Sequence, residues 1–283
     1  MSPIISVVRR RARLHLVVIG LCLVQGCATH APRPTSLVEA SCLGGIPRDA
    51  DADVGPTELV LRKGYVLEHS AADKIPLWVC ESVGAAQLGG HVARHDAFKA
   101  DPILLGAKAY PDDYAGSGYD RGHQAAAGNQ TRDPLLKSET FYLSNMAPQR
   151  PSLNRGIWTM LEEQTRAWVR EYGHAYEWTG PIRCGQRLRA ATPAQQHCQR
   201  RTIGKDAVAV PVGFYKIIVV QEQGAWKAIA FVMPNTDTQC PCRLEPYITS
   251  IDRIERETGI EFMPALAASV RRALKTSPAA LWP

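Results

Sequence analysis

Apolar and polar positions fall into a regular pattern from about Thr57 onward. Residues 59–68 and 76–83 are two apolar runs separated by Ser70-Ala71-Ala72-Asp73-Lys74, which is the pattern of a β-hairpin. Residues 84–118 are polar and broken by Gly and Pro, so they read mostly as loop. A short strand is predicted over 141–146, with Pro148 and Pro151 stopping any continuation. Ile157, Trp158, Leu161, Trp168, Val169 and Tyr172 recur at helical spacing, and Asn154 suits an N-cap, so a helix is predicted over 154–172. Residues 176–182 read as a strand, and 208–220 with 226–233 read as a second hairpin. A short helix is expected over 247–258, ended by Gly259. Strands mixed with helices in this order predict an α+β domain built on a central antiparallel sheet.

One apolar run lies outside that pattern. Arg9, Arg10, Arg11 and Arg13 precede residues 14–24, an apolar stretch too short to span a bilayer comfortably. Leu23-Val24-Gln25-Gly26-Cys27 follows, and a small residue before Cys resembles the cleavage box of bacterial lipoproteins. The expectation is a signal peptide over 1–26, a lipid anchor on Cys27, and a tether over 27–56 rich in Ala, Pro, Asp and Gly. This implies export from a bacterium and attachment at the cell envelope, facing the periplasm or on the outer membrane, or secretion. The alternative is an ordinary cleaved secretory peptide with Cys27 a plain thiol.

The charge balance changes accordingly. The chain of 283 residues carries a formal net charge of +6, but the first 26 residues hold four Arg and no acid, so the remainder carries +2. The basic balance therefore reflects export in part, and a nucleic-acid surface would have to be local. Of the eight cysteines, Cys42, Cys80, Cys184, Cys198, Cys240 and Cys242 remain after Cys22 and Cys27 are set aside. An even number in an oxidising compartment allows up to three disulfides, with Cys184 and Cys198 placed to staple a loop. Cys240-Pro-Cys242 lacks the second Cys or His pair that a zinc site needs.

The chemistry concentrates in Asp120-Arg121-Gly122-His123, followed by Ser144-Asn145 and Ser152-Leu153-Asn154. Phosphodiester hydrolysis needs a base that works near neutral pH, and His is suited to it. It also needs positive charge on a transition state richer in negative charge, which a divalent cation supplies. Mg²⁺ takes oxygen ligands and keeps waters, so one Asn oxygen can anchor it. Arg side chains can hold phosphate oxygens. His123, Asn154, Arg121 and Arg166 supply these groups.

The stretch Tyr114-Ala-Gly-Ser-Gly-Tyr-Asp-Arg-Gly-His123-Gln-Ala-Ala-Ala-Gly-Asn129 closely resembles the active-site segment of the DNA/RNA non-specific endonucleases. The resemblance continues through Thr140 to Gln149, Leu153-Asn154, Trp158 and Leu161-Glu162, and loosely covers residues 57–265. It implies a ββα-metal motif within an endonuclease domain over 57–283, and cleavage of DNA and RNA with little sequence preference. By position it implies His123 as general base, Arg121 beside it, Asn154 as ligand of Mg²⁺, and Asn145 as a support for the site. Mn²⁺ or another divalent cation is the variant on that metal. Glu162 matches a Glu that holds water in the cation's shell, and Arg166 an Arg that stabilises the transition state. An upstream family Arg aligns with Asp96, leaving Arg94 and Lys99 as candidates to bind phosphate. The family also implies a possible homodimer.

Asp120 is assigned no chemistry beyond orienting Arg121 or closing the strand. Trp158 and Trp168 are expected in the core rather than as stacking platforms. Two other functions fit the same residues: a nucleic-acid-binding lipoprotein with weakened catalysis, and a toxin-type nuclease held by a cognate inhibitor protein. The presence of His123, Asn154 and Glu162 together argues against the first. The lack of a delivery segment argues against the second.

Overall fold

The computed structural model describes residues 7–9, 34–49, 55–184, 198–237, 243–276 and 280–283. Cys27, the 14–24 apolar run, Cys240 and Cys242 lie outside the described residues. The framework is an eight-stranded antiparallel sheet. In spatial order it runs β1 (Val7–Arg9), β3 (Thr57–Leu61), β4 (Val66–Ser70), β5 (Ile75–Gly84), β8 (His174–Ile182), β11 (Gly213–Glu222), β12 (Ala225–Pro234) and β13 (Ile248–Thr249). The expected α+β class with a central antiparallel sheet is what forms.

Alternation along each strand divides the core between the two faces. On β11, Phe214 and Ile218 join one apolar cluster while Tyr215, Ile217 and Val219 join the other. Helix α5 (Thr159–Tyr172) packs on the first face through Leu161, Trp168 and Val169. Trp158 and Trp168 are core residues, with Trp158 set against Phe214 and Trp168 against Trp282. Helices α6 (Ile251–Thr258) and α7 (Ala268–Thr276) serve the second face through Ile251, Ile254 and Leu274. Gly259 ends α6 in the left-handed conformation, as expected for a C-cap.

Four elements depart from the sequence pattern. The 59–68 run is two strands, because Arg62 N donates to Tyr65 O and closes a turn. Both strands are almost wholly buried, so no polar residue marked the break. The strand expected over 141–146 forms later, as β7 (Met146–Gln149), because Leu143–Asn145 is a 3₁₀ turn. Pro148 is tolerated there because β7 belongs to a two-stranded ribbon and one side needs no ladder donor. The 208–220 run divides at Pro211 into β10 (Val208–Val210), which pairs with β9 (Arg201–Ile203), and β11.

The fourth departure is in the stretch expected as a tether. Residues 34–49 are folded: α1 (Pro34–Ser41) is helical, and β2 (Arg48–Asp49) pairs with β14 (Ile260–Glu261). Leu37, Val38, Leu43 and Ile46 pack against the second core face, and Cys42 forms a disulfide with Cys80 of β5. The apolar residues are spaced among Pro, Ser and Gly, which hid them in the composition. Cys184 and Cys198 are also joined, as their spacing suggested. Among the described residues no helix is long and apolar enough to cross a membrane.

Candidate active site

The ribbon and helix that carry the site follow directly in sequence. Strand β6 (Asp120–His123) pairs antiparallel with β7, placing His123 opposite Met146 and Asp120 opposite Gln149. Gly122 is required by packing, since a Cβ there would run into the Gln149 side chain and the Ala147 carbonyl. Pro151 then starts a helical turn, α4 (Pro151–Leu153), with its φ already suited to a first helical position. A π-turn over Asn154–Trp158 follows, with Gly156 in a non-helical conformation, before α5 continues.

Asn154 is therefore inside the helical segment and is not its N-cap; Arg150 holds that position. The consequence is chemical. Capping no longer competes for the Asn154 side chain, and a π-turn is a common way to free a residue for function. Asn154 Nδ2 donates to Asp120 Oδ2 at 2.9 Å, which leaves the amide oxygen as the group available to a cation. Asp120 also accepts from Arg155 Nε at 2.8 Å and Arg155 Nη2 at 2.6 Å. Burial opposes its charge, but the bonds from Arg155 and Asn154 outweigh that and hold the carboxyl below its ordinary range. Asp120 thus bridges the ribbon to the π-turn, rather than orienting Arg121 as its sequence position suggested.

An open cleft of about 460 Å³ lies over this junction, with Arg94, Arg121, His123, Asn154 and Glu162 in its walls. His123 is 8% exposed, and its Nε2 has no hydrogen-bond partner. Its ring sits edge-on to Phe141, with centroids 5.0 Å apart, and near Phe98. Burial, aided by the Arg94 charge, lowers its pKa to about 3, so the imidazole is neutral at physiological pH. Arg121 Nη2 donates to Pro111 O at 2.9 Å, and the guanidinium lies over the Phe98 ring.

The model of the DNA/RNA non-specific endonuclease family matches residues 52–269. The chain belongs to that family. It is 35% identical to human mitochondrial endonuclease G over 217 residues, which is 76% of this chain and 72% of that protein. It is 33% identical to nuclease C1 of Cunninghamella echinulata over 216 residues, 74% of this chain and 83% of that one. In structure it is similar to endonuclease G in a crystal structure of the EndoG/EndoGI complex that addresses EndoG inhibition. The TM-score is 0.72 at 30% identity, covering 88% of this chain and 96% of the other. The protein is a nuclease, a hydrolase acting on nucleic acids, and neither the weakened binding protein nor the toxin-type nuclease is favoured. The expected bacterial cell-envelope location is corrected by the same relatives, which are mitochondrial and fungal nucleases. The Arg-rich N-terminus and the Gly26-Cys27 box matched the lipoprotein pattern, and a charged and apolar leader is not specific to one compartment.

The nuclease brings most of its expected residues together. Glu162 and Arg166, one helical turn apart on α5, stand at the cleft with Arg166 Nη1 3.9 Å from Glu162 Oε2. Burial raises the Glu162 pKa, and the charges of Lys216 and Arg166 only partly offset it. Arg166 Nη1 has no hydrogen-bond partner. A Cβ at Gly128 would lie 2.8 Å from that atom, so the missing side chain lets the guanidinium reach the cleft wall.

Asn145 is fully buried behind the site. It accepts from Ala125 N at 2.8 Å and donates to the carbonyls of Ala125 and Thr140, fixing the chain just after His123. Arg94 lines the cleft but is half engaged by Asp96 at 2.6 Å. Lys99 does not reach the cleft. Its Nζ lies over the Tyr142 ring, and the residue borders a separate small hollow with His95 and Lys137.

Sequence reasoning missed the floor beneath the cleft. Lys216 Nζ donates to Glu177 Oε2 at 2.9 Å and Thr179 Oγ1 at 2.8 Å, all on the site face of the sheet. Asn129 Nδ2 donates to Glu177 Oε1, and Ala126 N to Glu81 Oε1. These bonds hold the 126–129 segment that forms the cleft wall. Burial, with Glu177 nearby, raises the Glu81 carboxyl well above its ordinary pKa despite Lys216. The available signal was a lone charge in each of three apolar strands.

Proposed function

We propose that this cleft hydrolyses phosphodiester bonds of DNA and RNA with one divalent cation, Mg²⁺ by its ligand chemistry. The observation that carries the reading is the unpartnered Nε2 of a neutral His123 facing the same cleft as the Asn154 amide. The residues present fit a hard cation. Oxygen groups of Asn154, Asp120 and Glu162 border one cleft, while no three His, Cys, Asp or Glu side chains are grouped as a metal site among the described residues. Such a set suits an ion that retains water, not zinc. Bound there, the cation would supply positive charge to the departing oxygen.

The side chains divide the remaining work. His123 accepts the proton of the attacking water at Nε2, a role open to it because the ring stays neutral. Asn154, steadied by Asp120, holds the cation, and Glu162 orients water beside it. Arg121 and Arg166 each have a buried guanidinium nitrogen without a partner, which gives them capacity for phosphate oxygens. Arg94 adds charge at the rim, and Lys99 takes no part. Contact through phosphates accounts for weak sequence preference.

The test is supercoiled plasmid and folded RNA, each incubated with the full chain and Mg²⁺ or Mn²⁺, with and without EDTA. Degradation that EDTA stops is the expected result. Degradation unaffected by EDTA would overturn the cation's role, and no degradation with either metal would overturn the reading as a whole.

A further inference from the structure

Beside the cleft lies a second hollow of about 600 Å³, and Tyr119 borders both. Its other polar walls include Arg150, Arg201 and Asn235. The Arg150 guanidinium lies 4.8 Å from the centroid of the Tyr119 ring. Among the described residues no ion pair engages Arg150 or Arg201. The acid of the hollow, Asp237, accepts from Ser152 Oγ at 3.2 Å. The floor is rigidly joined to the catalytic ribbon. Asn235 Oδ1 accepts from Arg150 N at 2.8 Å, and Asn235 Nδ2 donates to Pro148 O at 3.0 Å and to Pro211 O at 2.9 Å.

Two guanidiniums without acidic partners, beside an aromatic ring and an apolar wall at Val210 and Val212, form a surface for a chain of phosphates and bases. Arginines pay for themselves on such a surface by displacing counterions, and a ring takes any base by stacking. Continuity through Tyr119 places this surface alongside the cleft and at a fixed offset from it, because Arg150 directly precedes the turn that carries Asn154.

We propose that this hollow is a flanking subsite, which grips the nucleic-acid strand next to the bond being cut through Arg150, Arg201 and the Tyr119 ring. The proposal rests on the nuclease reading of the cleft. It explains how an enzyme with little net charge concentrates polyanion binding where it is needed. It also makes activity depend on strand length, since a substrate too short to leave the cleft gains nothing from the hollow.

The experiment compares the full chain with the double variant Arg150→Ala/Arg201→Ala and with the reversal Arg150→Glu/Arg201→Glu. The substrates are a dinucleotide and a single strand of roughly 16 nucleotides, the upper site size of common single-strand binders. For the Ala variant, KM on the longer strand should rise about tenfold at low salt, and the log–log salt slope should become shallower by about 2, one per lost phosphate contact. The Glu variant should lose more. The ratio of kcat/KM between long and short substrates should fall in both. An unchanged ratio and slope would overturn the subsite, as would equal losses on both substrates. A parent protein inactive on both substrates would overturn the cleft reading instead.

Discussion

Two histidines in this protein are withdrawn from water, and only one is placed to do chemistry. His69, on β4, is wholly buried, and neither ring nitrogen has a partner in hydrogen-bonding geometry, although the Lys74 backbone is near. His123, on β6, is nearly as buried and also has an unpartnered nitrogen. Burial lowers both pKa values, to about 4 for His69 and about 3 for His123. A depressed pKa and an orphan nitrogen are thus shared and cannot be what makes a base. The difference is where the nitrogen faces. His123 borders a cleft with Arg121, Asn154 and Glu162, whereas His69 is enclosed between strands. In the sheet the bare nitrogen is a cost of folding, and at the cleft it is capacity held for a substrate.

The largest expected effect separates the two. His123→Ala should lower kcat/KM on plasmid by about 10³-fold, within the range for loss of a general base, with the fold retained. His69→Leu should leave kcat/KM within about twofold, because replacing an unpartnered polar group by an apolar one of similar size is close to neutral. Nicking rates beside circular dichroism of each variant decide the matter. A comparable loss in both variants would mean that burial, and not access to the cleft, is what the two histidines share functionally.

The same distinction applies to ion pairs. Lys216 and Glu177 are each about 1% exposed and meet at 2.9 Å, satisfying one another inside the sheet. Arg166 and Glu162 keep 17% and 19% exposure and stand 3.9 Å apart, so neither is spent on the other. Lys216→Met leaves Glu177 and Glu81 buried without their cation. It should cost about 3–5 kcal/mol of stability, read from the urea midpoint. Arg166→Met should change stability by less than about 1 kcal/mol, and yet lower kcat by about 10²-fold through loss of transition-state charge. A stability loss in Arg166→Met as large as that of Lys216→Met would make both pairs structural.

Sequence spacing exposed part of this arrangement and concealed the rest. The helical stripe of Trp158, Leu161 and Trp168, the Gly259 cap and the Cys184–Cys198 pair are local patterns, and each formed as expected. The residues expected at the site also met, since β6, β7 and α5 are consecutive and a short ribbon-to-helix path leaves little freedom. Lys99 failed because one residue's offset in a polar loop carries no periodicity to fix its direction. The Asp120–Asn154 bond was hidden because it depends on a π-turn that an N-cap reading replaces. Lys216 with Glu177, and Arg150 with Arg201, come from strands far apart in sequence. Their meeting is set by sheet order, which no single run of residues encodes.

The smallest effect concerns acid. In an unfolded chain a histidine takes up a proton as pH falls below about 6.5. In the native protein His69 stays neutral until pH approaches its lowered pKa of about 4, and His123 until about 3. Between those limits the unfolded state binds more protons, so stability is fully present above pH 6.5 and is lost as pH falls toward 4. Each such proton contributes at most about 1.4 kcal/mol per pH unit. His69→Leu removes one of them, so its urea midpoint should decline less than that of the parent between pH 6.5 and pH 5. His123→Ala should flatten the same limb by a similar amount. Equal flattening in the two variants, beside unequal activity, would show that the protonation cost is common to both histidines while catalysis belongs to one. A parallel decline in all three proteins would place the acid sensitivity in the carboxylates and remove the thermodynamic half of the comparison.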